Sequence, residues 1–421
     1  MCGLAATAGV TVHAQKKTPV ASRAVPSTFR TITAQEISYL LADMALSNPS
    51  IVRQLAADPE MRHGQLENLK QLLAFASQAE RDGLGKTATN KQELDNIRNE
   101  YVALGYDKDF NKAKADRTPF AYISTNEITK FWAVKTHEAE FDRFLKAKLE
   151  VIGRSDPSVN GRSLSPEENA LARDSFAKTR ITAGDYDAAK RRGTVSKELS
   201  GKIALQVRLQ QAQFLSRLYA ETVVNKTQAT AAEIAAYLAA NPALDPAPKL
   251  AKAQTILARA KAGEDFAKLA DEFSEDPGNQ GDGGTKNGGL YKDVPLGMMV
   301  KPFETAALAL KDGEISPAPV ESDFGYHIIK LDRKGDKTYD VRHILISTTV
   351  ADPAKPQGRP LPLAEYVRTQ VEDAKQEKVI ADLVIANKIS VPKDFVVPDT
   401  RPATDSTDAT GTRTRHGRRN R

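Results

Sequence analysis

Two clusters of proline divide a chain that otherwise reads as helix: Pro242, Pro246 and Pro248 form the first, and Pro353, Pro356, Pro360 and Pro362 the second. Proline has no amide hydrogen and its ring clashes with the preceding turn, so neither cluster fits inside a helix; both read as stiff connectors. Helical spacing dominates before the first cluster and returns after the second, whereas the segment between them is patterned differently. The chain therefore reads as one helical body, residues 30–241, interrupted by an inserted segment at 245–348. A Pro-rich linker follows at 349–362, and a helix within 363–397 returns to the first body.

The helical expectation rests on start signals as well as spacing. Thr33-Ala-Gln-Glu36 and Thr230-Ala-Ala-Glu233 are capping boxes, in which the two side chains each satisfy a free backbone N–H at a helix start. Ile37, Leu40, Leu41 and Met44 follow the first box at helical intervals. Leu66, Leu69, Leu72 and Leu73 mark a second helix that stops near Gly83, and Ile203, Val207, Phe214 and Leu218 mark another. These helices are too polar to be buried all round, so they must pack side by side.

The formal charge of +6 is not a nucleic-acid signature, because six Arg and three Asp fall within residues 398–421. That segment has no apolar period and reads as a disordered, solvated Arg-rich tail; the remainder of the chain implies no polyanion partner. A single cysteine, Cys2, excludes internal disulfides and Cys-based metal sites. Residues 1–14 are small and apolar up to Val12-His13-Ala14 and read as a signal peptide that lacks its basic front. No run of about 18 apolar residues occurs, so no transmembrane segment is expected.

Inside the insert, Leu250, Ala253, Leu257 and Ala260 mark a helix ended by Gly263, and Phe266, Leu269, Ala270 and Phe273 mark the next. A Gly-rich stretch runs to Gly289. It is neither a phosphate cradle, lacking the Gly-Lys-Ser/Thr ending, nor a calcium loop, since Gly278 and Gln280 stand where ligands should alternate; it reads as a turn. Pro302 opens a helix bearing Phe303, Ala306, Ala307 and Leu310. Two strand-like runs, Tyr326–Leu331 and Tyr339–Ile346, then flank a turn at Lys334-Gly335-Asp336.

In order, Phe273-Ser-Glu-Asp276-Pro, Gly288-Gly-Leu290, Gly297-Met-Met299-Val-Lys-Pro-Phe303-Glu, Gly313-Glu-Ile-Ser316 and Phe324-Gly-Tyr-His327-Ile-Ile resemble the successive motifs of parvulin-type peptidyl-prolyl cis-trans isomerases. The resemblance covers about a quarter of the chain, and the helical remainder is similar in layout to the SurA and PrsA envelope chaperones. One motif is displaced. Arg342-His343-Ile344-Leu345 follows the last strand here, whereas the family opens with such a strand. Those two strands are antiparallel neighbours in the family, so a hairpin turn suffices to move one to the other end. The expected fold is thus α+β, mostly α: a helical chaperone body carrying an inserted, circularly permuted parvulin-like domain with a small antiparallel sheet. An odd hairpin loop sets His327 directly across from His343 with both rings on one face; a four-residue loop sends them to opposite faces.

By this resemblance, Leu290, Met299 and Phe303 form a pocket for the proline ring with Phe324 at its edge, and Asp276, His327, His343 and Ser322 supply the polar groups. The function implied is prolyl isomerisation and chaperoning of unfolded exported polypeptides containing X-Pro bonds, in the periplasm or cell envelope. Neither cofactor nor metal is required. Two blander readings stay open: the apolar trio as plain core with the histidines as a buried structural pair, and a silent holdase that uses the domain only as a client-binding groove.

Overall fold

The computed structural model describes residues 28–110, 118–279, 285–353 and 357–397. The expected signal peptide and the Arg-rich tail lie outside them. The chain divides into two compact units, one built from residues up to 222 and from 380 onward, the other from 223–379.

The first unit is helical, with α1 (Ala34–Ser47), α2 (Pro49–Ala57), α3 (Pro59–Arg81), α4 (Ala88–Phe110), α5 (Thr125–Trp132), α6 (Lys135–Ser155), α7 (Pro166–Arg191) and most of α8 (Lys197–Thr227). The Thr33 capping box is formed, and Ser124-Glu127 and Ser165-Glu168 make two more at α5 and α7. Val102, Ala103, Ala183, Tyr186 and Ile203 form a core between α4, α7 and α8. Residues 387–394 close onto α3 and the segment before α1: Asn387 Nδ2 donates to Gln78 Oε1 at 3.2 Å, Ile32 N to Ser390 O at 3.0 Å, and Arg62 pairs with Asp394 at 2.9 Å.

The second unit adds α9 (Ala231–Ala240), α10 (Ala247–Lys261), α11 (Phe266–Phe273), β1 (Leu290–Pro295), α12 (Lys301–Ala309), β2 (Val320–Ser322), β3 (Gly325–Lys334), β4 (Thr338–Ser347) and the first part of α13 (Leu363–Ala386). Its limits are wider than the proline clusters suggest. Lys375 Nζ on α13 reaches Gln228 O at 2.8 Å and Glu233 Oε2 at 2.9 Å, and Glu372 accepts from the Ala229 amide at 3.0 Å, so α9 and α13 close on each other. The expected linker is also clipped, since Val350 and Leu361 exchange backbone hydrogen bonds of 2.8 and 2.9 Å.

The sheet is antiparallel with order β1-β4-β3-β2, so the Arg342-His343-Ile344-Leu345 strand lies in the interior, as the permuted arrangement requires. Alternate residues of a strand face opposite sides. Tyr326, Ile328, Ile344 and Ile346 meet Ile256, Leu257, Phe266 and Leu269 of α10 and α11. Ile329, Leu331, Tyr339 and Val341 meet Phe303, Ala307 and Leu310 on the α12 side. Burial of both faces explains why these strands read as nearly continuous apolar runs.

The register corrects the hairpin expectation. His343 lies across from Ile329 and His327 from Leu345, so the two histidines are diagonal neighbours rather than direct partners. Near the turn Lys334 pairs with Tyr339, leaving the four residues between them as the loop, the length that should part the rings. A β-bulge between Leu331 and Arg333 inserts Asp332 as an extra residue and restores the side-chain sense, so both rings share the α12 face.

Two glycines with positive φ separate backbone strain from contact. Gly289 (φ 68°) lies so close to β4 that a Cβ would stand 2.3 Å from His343 O, whereas one at Gly297 (φ 85°) would meet nothing within 4 Å. In urea denaturation of this unit, Gly297→Ala should cost about 1 kcal/mol from the left-handed backbone alone, and Gly289→Ala about 3 kcal/mol or more once overpacking is added. Equal losses would show that the β1–β4 approach is not tight.

Candidate functional site

The site begins with β4, because that strand holds three of its parts in place. His343 N donates to Gly289 O at 3.0 Å, which fixes the start of β1. Glu275 N donates to Leu345 O at 2.8 Å, and Leu345 N to Ser274 Oγ at 3.2 Å, so the segment leading to Asp276 runs along β4. Pairing with β3 then brings His327 beside His343.

The four polar residues expected from the sequence form one hydrogen-bonded chain. His343 Nε2 lies 2.7 Å from Asp276 Oδ2, the two Nδ1 atoms of His343 and His327 lie 3.2 Å apart, and His327 Nε2 lies 2.6 Å from Ser322 Oγ. The Phe324 amide donates to that same Oγ at 3.1 Å. The Gly278 amide donates to Asp276 Oδ1 at 3.1 Å, and the Tyr291 hydroxyl to Oδ2 at 2.7 Å.

Proton positions follow from this geometry. An ionised carboxylate only accepts, so His343 carries its proton on Nε2; with both rings neutral its Nδ1 must accept, which places the proton of His327 on Nδ1. His327 Nε2 is then an acceptor, and the Ser322 hydroxyl donates to it. Every proton in the chain thus points toward Asp276.

Electrostatics support that polarity. Burial favours the neutral acid at Asp276, but hydrogen bonds from His343 and Tyr291, with the Gly278 amide, outweigh it and hold the carboxyl down at about 2. His327 is lowered to about 4, first by burial and then by the neighbouring His343, against a smaller opposing pull from Asp276. Burial and the adjacent carboxylate push the Tyr291 hydroxyl up, so it keeps its proton.

The apolar residues divide differently from expectation. Phe303 is 2% exposed and sits edge-on to both rings, with centroids 5.3 Å from His327 and 5.2 Å from His343 at interplanar angles of 79° and 86°. It is the floor beneath the imidazoles. Met299 is partly buried against the same cluster, and Phe324, at the β2–β3 turn, is 37% exposed. Leu290 is not brought to this side: it pairs with Arg342, on the α10–α11 side, whereas Tyr291 pairs with Val341 and faces α12. The pocket assignment of Leu290 therefore moves one residue along, to Tyr291.

Sequence reasoning missed Tyr291 because its partner, Asp276, lies 15 residues upstream across a loop, and only the β1–β4 register reveals which side the ring takes. It also missed Asn279, which is buried and ties the two ends of the Gly-rich stretch together. Its amide nitrogen donates to Ala270 O, its Oδ1 accepts from Gly289 N, and its carbonyl accepts from Asn287 N.

Residues 225–333 match the family model described as Rotamase, PPIC-type PPIASE domain. The chain carries a parvulin-type domain. It is 37% identical over 133 residues to a protein named Foldase protein PrsA from Geobacillus sp. (strain WCH70), covering 30% of this chain and 46% of that one. Foldase protein PrsA 4 of Bacillus cereus is 44% identical over 107 residues, 24% of this chain and 36% of its own. Chaperone SurA of Chromohalobacter salexigens is 37% identical over 133 residues, 30% of this chain and 29% of its own. The chain spans less than half the length of each of these relatives. The match ends at residue 333, within β3, and does not include β4.

His327 gives this domain a distinctive pH dependence. Its proton affinity is lowered in the fold, from 6.5 to about 4, so between those values the unfolded chain binds a proton that the native domain refuses. Its contribution to stability should be complete above pH 6.5 and should fall as the pH drops toward 4, by up to about 3 kcal/mol. Asp276 acts only lower, with its stabilisation present above 3.8 and lost as the pH falls through about 2. Amide-exchange protection of β3 and β4, followed from pH 7 to 4.5, should decline with His327 present and flatten in His327→Gln. Equal slopes in the two proteins would contradict the assignment.

Proposed function

We propose that this chain is a peptidyl-prolyl cis-trans isomerase that also chaperones unfolded exported polypeptides containing X-Pro bonds. The observation that carries the reading is the closed chain from Asp276 to Ser322, laid over the buried Phe303 ring beside the apolar Met299. Rotation of an X-Pro bond breaks amide resonance against a barrier of about 18 to 20 kcal/mol, yet makes and breaks no bond. The reaction thus needs only a surface that grips the proline ring and polar groups that favour the twisted amide. Met299, Phe303 and the Tyr291 ring supply the first. The second is the Ser322 end of the chain, where the hydroxyl is held by His327 and the Phe324 amide. Asp276, His327 and His343 act non-covalently, by fixing local polarity.

Work in the cell envelope is supported by relatives named for folding and chaperone roles, and by the apolar stretch at residues 3–14. Among the described residues no helix is long and apolar enough to cross a membrane. A second reading, a holdase without turnover, draws on the burial of Phe303, which leaves little of the ring open to grip a proline.

A protease-coupled isomerisation assay on a short X-Pro peptide, run beside an aggregation assay on an unfolded client, separates the two. The full chain should accelerate isomerisation. Met299→Ala should lower kcat/KM about tenfold, the value of about 1.4 kcal/mol of lost apolar contact, while leaving aggregation suppression intact. Asp276→Ala should lower the rate as well. Suppressed aggregation with isomerisation at the uncatalysed rate would leave only the holdase.

A further inference from the structure

The proton chain has one member outside the His-His-Ser series. Asp276 Oδ2 accepts two bonds, from His343 Nε2 and from the Tyr291 hydroxyl, each 2.7 Å long, while Oδ1 takes the Gly278 amide. We propose that Tyr291 is a positioning residue: it holds the Asp276 carboxylate turned toward β4, and thereby sets the proton direction of the whole chain out to Ser322. The proposal rests on the isomerase reading for its consequence in turnover, but its physical core does not.

Three observations support the assignment. Tyr291 reaches Asp276 from β1 and His343 reaches it from β4, so the carboxylate is clamped between adjacent strands and cannot swing away from either without losing a bond. The Tyr291 and His343 rings are themselves in contact, 5.2 Å between centroids at 60°, so the ring that feeds the carboxylate is braced by the ring that orients it. The space for the hydroxyl is made by Gly278, where a Cβ would stand within 1.7 Å of the Tyr291 oxygen. A tyrosine suits the task for a chemical reason. It stabilises the anion as a neutral donor, and with its own ionisation pushed up it surrenders no proton at neutral pH. A lysine or arginine there would add a positive charge beside His343.

Among the described residues, the groups facing Asp276 are few. Tyr291 comes from β1, His343 from β4 and, one ring further, His327 from β3; the neighbouring Glu275 carboxylate is engaged by Lys249, Lys252 and the Ser347 amide. Loss of the tyrosine hydroxyl should therefore appear directly in the titration of Asp276.

The test compares the full chain with Tyr291→Phe, Gly278→Ala, Asp276→Ala and the Tyr291→Phe/Asp276→Ala pair. Carboxyl 13C titration should show Asp276 in Tyr291→Phe shifted upward by about one pH unit, and imidazole 15N spectra should show the Nε2–H form of His343 and the Nδ1–H form of His327 losing their dominance. Gly278→Ala, which displaces the hydroxyl without removing it, should shift Asp276 in the same direction. In turnover, the acid limb of the kcat/KM profile should move with the Asp276 titration while KM stays within about twofold. Tyr291→Phe should then add nothing in the Asp276→Ala background. An unmoved Asp276 titration with unchanged tautomers overturns the proposal, as does an undiminished effect of Tyr291→Phe in the absence of Asp276. If the parent chain isomerises nothing, the enzymatic reading falls, and the carboxyl titration and tautomer spectra still decide the role of Tyr291.

Discussion

The pairing of β4 on both of its edges is the constraint from which the rest of the domain follows. One edge accepts the whole of β3; the other accepts β1 and, beyond Gly289, the segment around Ser274 and Glu275. A strand so placed finds backbone partners along both edges, where unpaired groups would be costly. It also fixes the chemistry. His343 belongs to β4, His327 is brought by its neighbour, and Asp276 is carried in by a segment that donates to Leu345. Removing β4 would therefore dismantle the sheet and the polar chain together.

Burial gives the polar chain its stringency. The two imidazoles are 4% and 6% exposed and rest on the edge of Phe303, where an unsatisfied nitrogen would cost about 1 to 3 kcal/mol. The arrangement leaves none. Asp276 has three donors, each imidazole nitrogen has one partner, and Ser322 has both a donor and an acceptor. Because a carboxylate cannot donate, a single charge at one end dictates the hydrogen positions along a line of four side chains. A structural role and a catalytic role are not rivals in such a chain, since the fixed polarity that orders the sheet is also what a twisting amide would meet at Ser322.

Much of this was legible in the sequence, and the parts that were not share a cause. Helix starts were readable because a capping box is local: Thr33 and Glu36, or Thr230 and Glu233, lie within one turn, and both boxes are formed. The displaced strand was readable because Arg342-His343-Ile344-Leu345 is a compact motif. What failed was register. Counting through the Lys334 turn missed the bulge at Asp332, whose side chain accepts from Arg342 at 2.9 Å, a pairing that no count of loop residues contains. The pocket role that the resemblance gave to Leu290 also falls one residue short of Tyr291, since two glycines in left-handed backbone precede β1 and hide where the alternation begins. The unit's limits were misplaced for a related reason. Prolines mark where a helix cannot run, but the contacts of Lys375 and Glu372 with residues 228–233 are set by packing across more than a hundred residues.

Relocating one strand also redistributes which contacts are local. With β4 after β3, their pairing is a hairpin closed by a four-residue loop, and such contacts carry a small loop-closure cost. The costly contacts are now those that join the beginning of the domain to its end. His343 and Asp276 are 67 residues apart, and Leu345 meets Ser274 over 71. The hairpin by itself sets His327 and His343 on one face, whereas the carboxylate reaches them from a distant segment. Nothing within the hairpin alone decides which nitrogen of His343 holds its proton. The direction of the polar chain is thus a property of the closed domain, and the contact of residues 274–276 with β4 is also the contact that orients the chain.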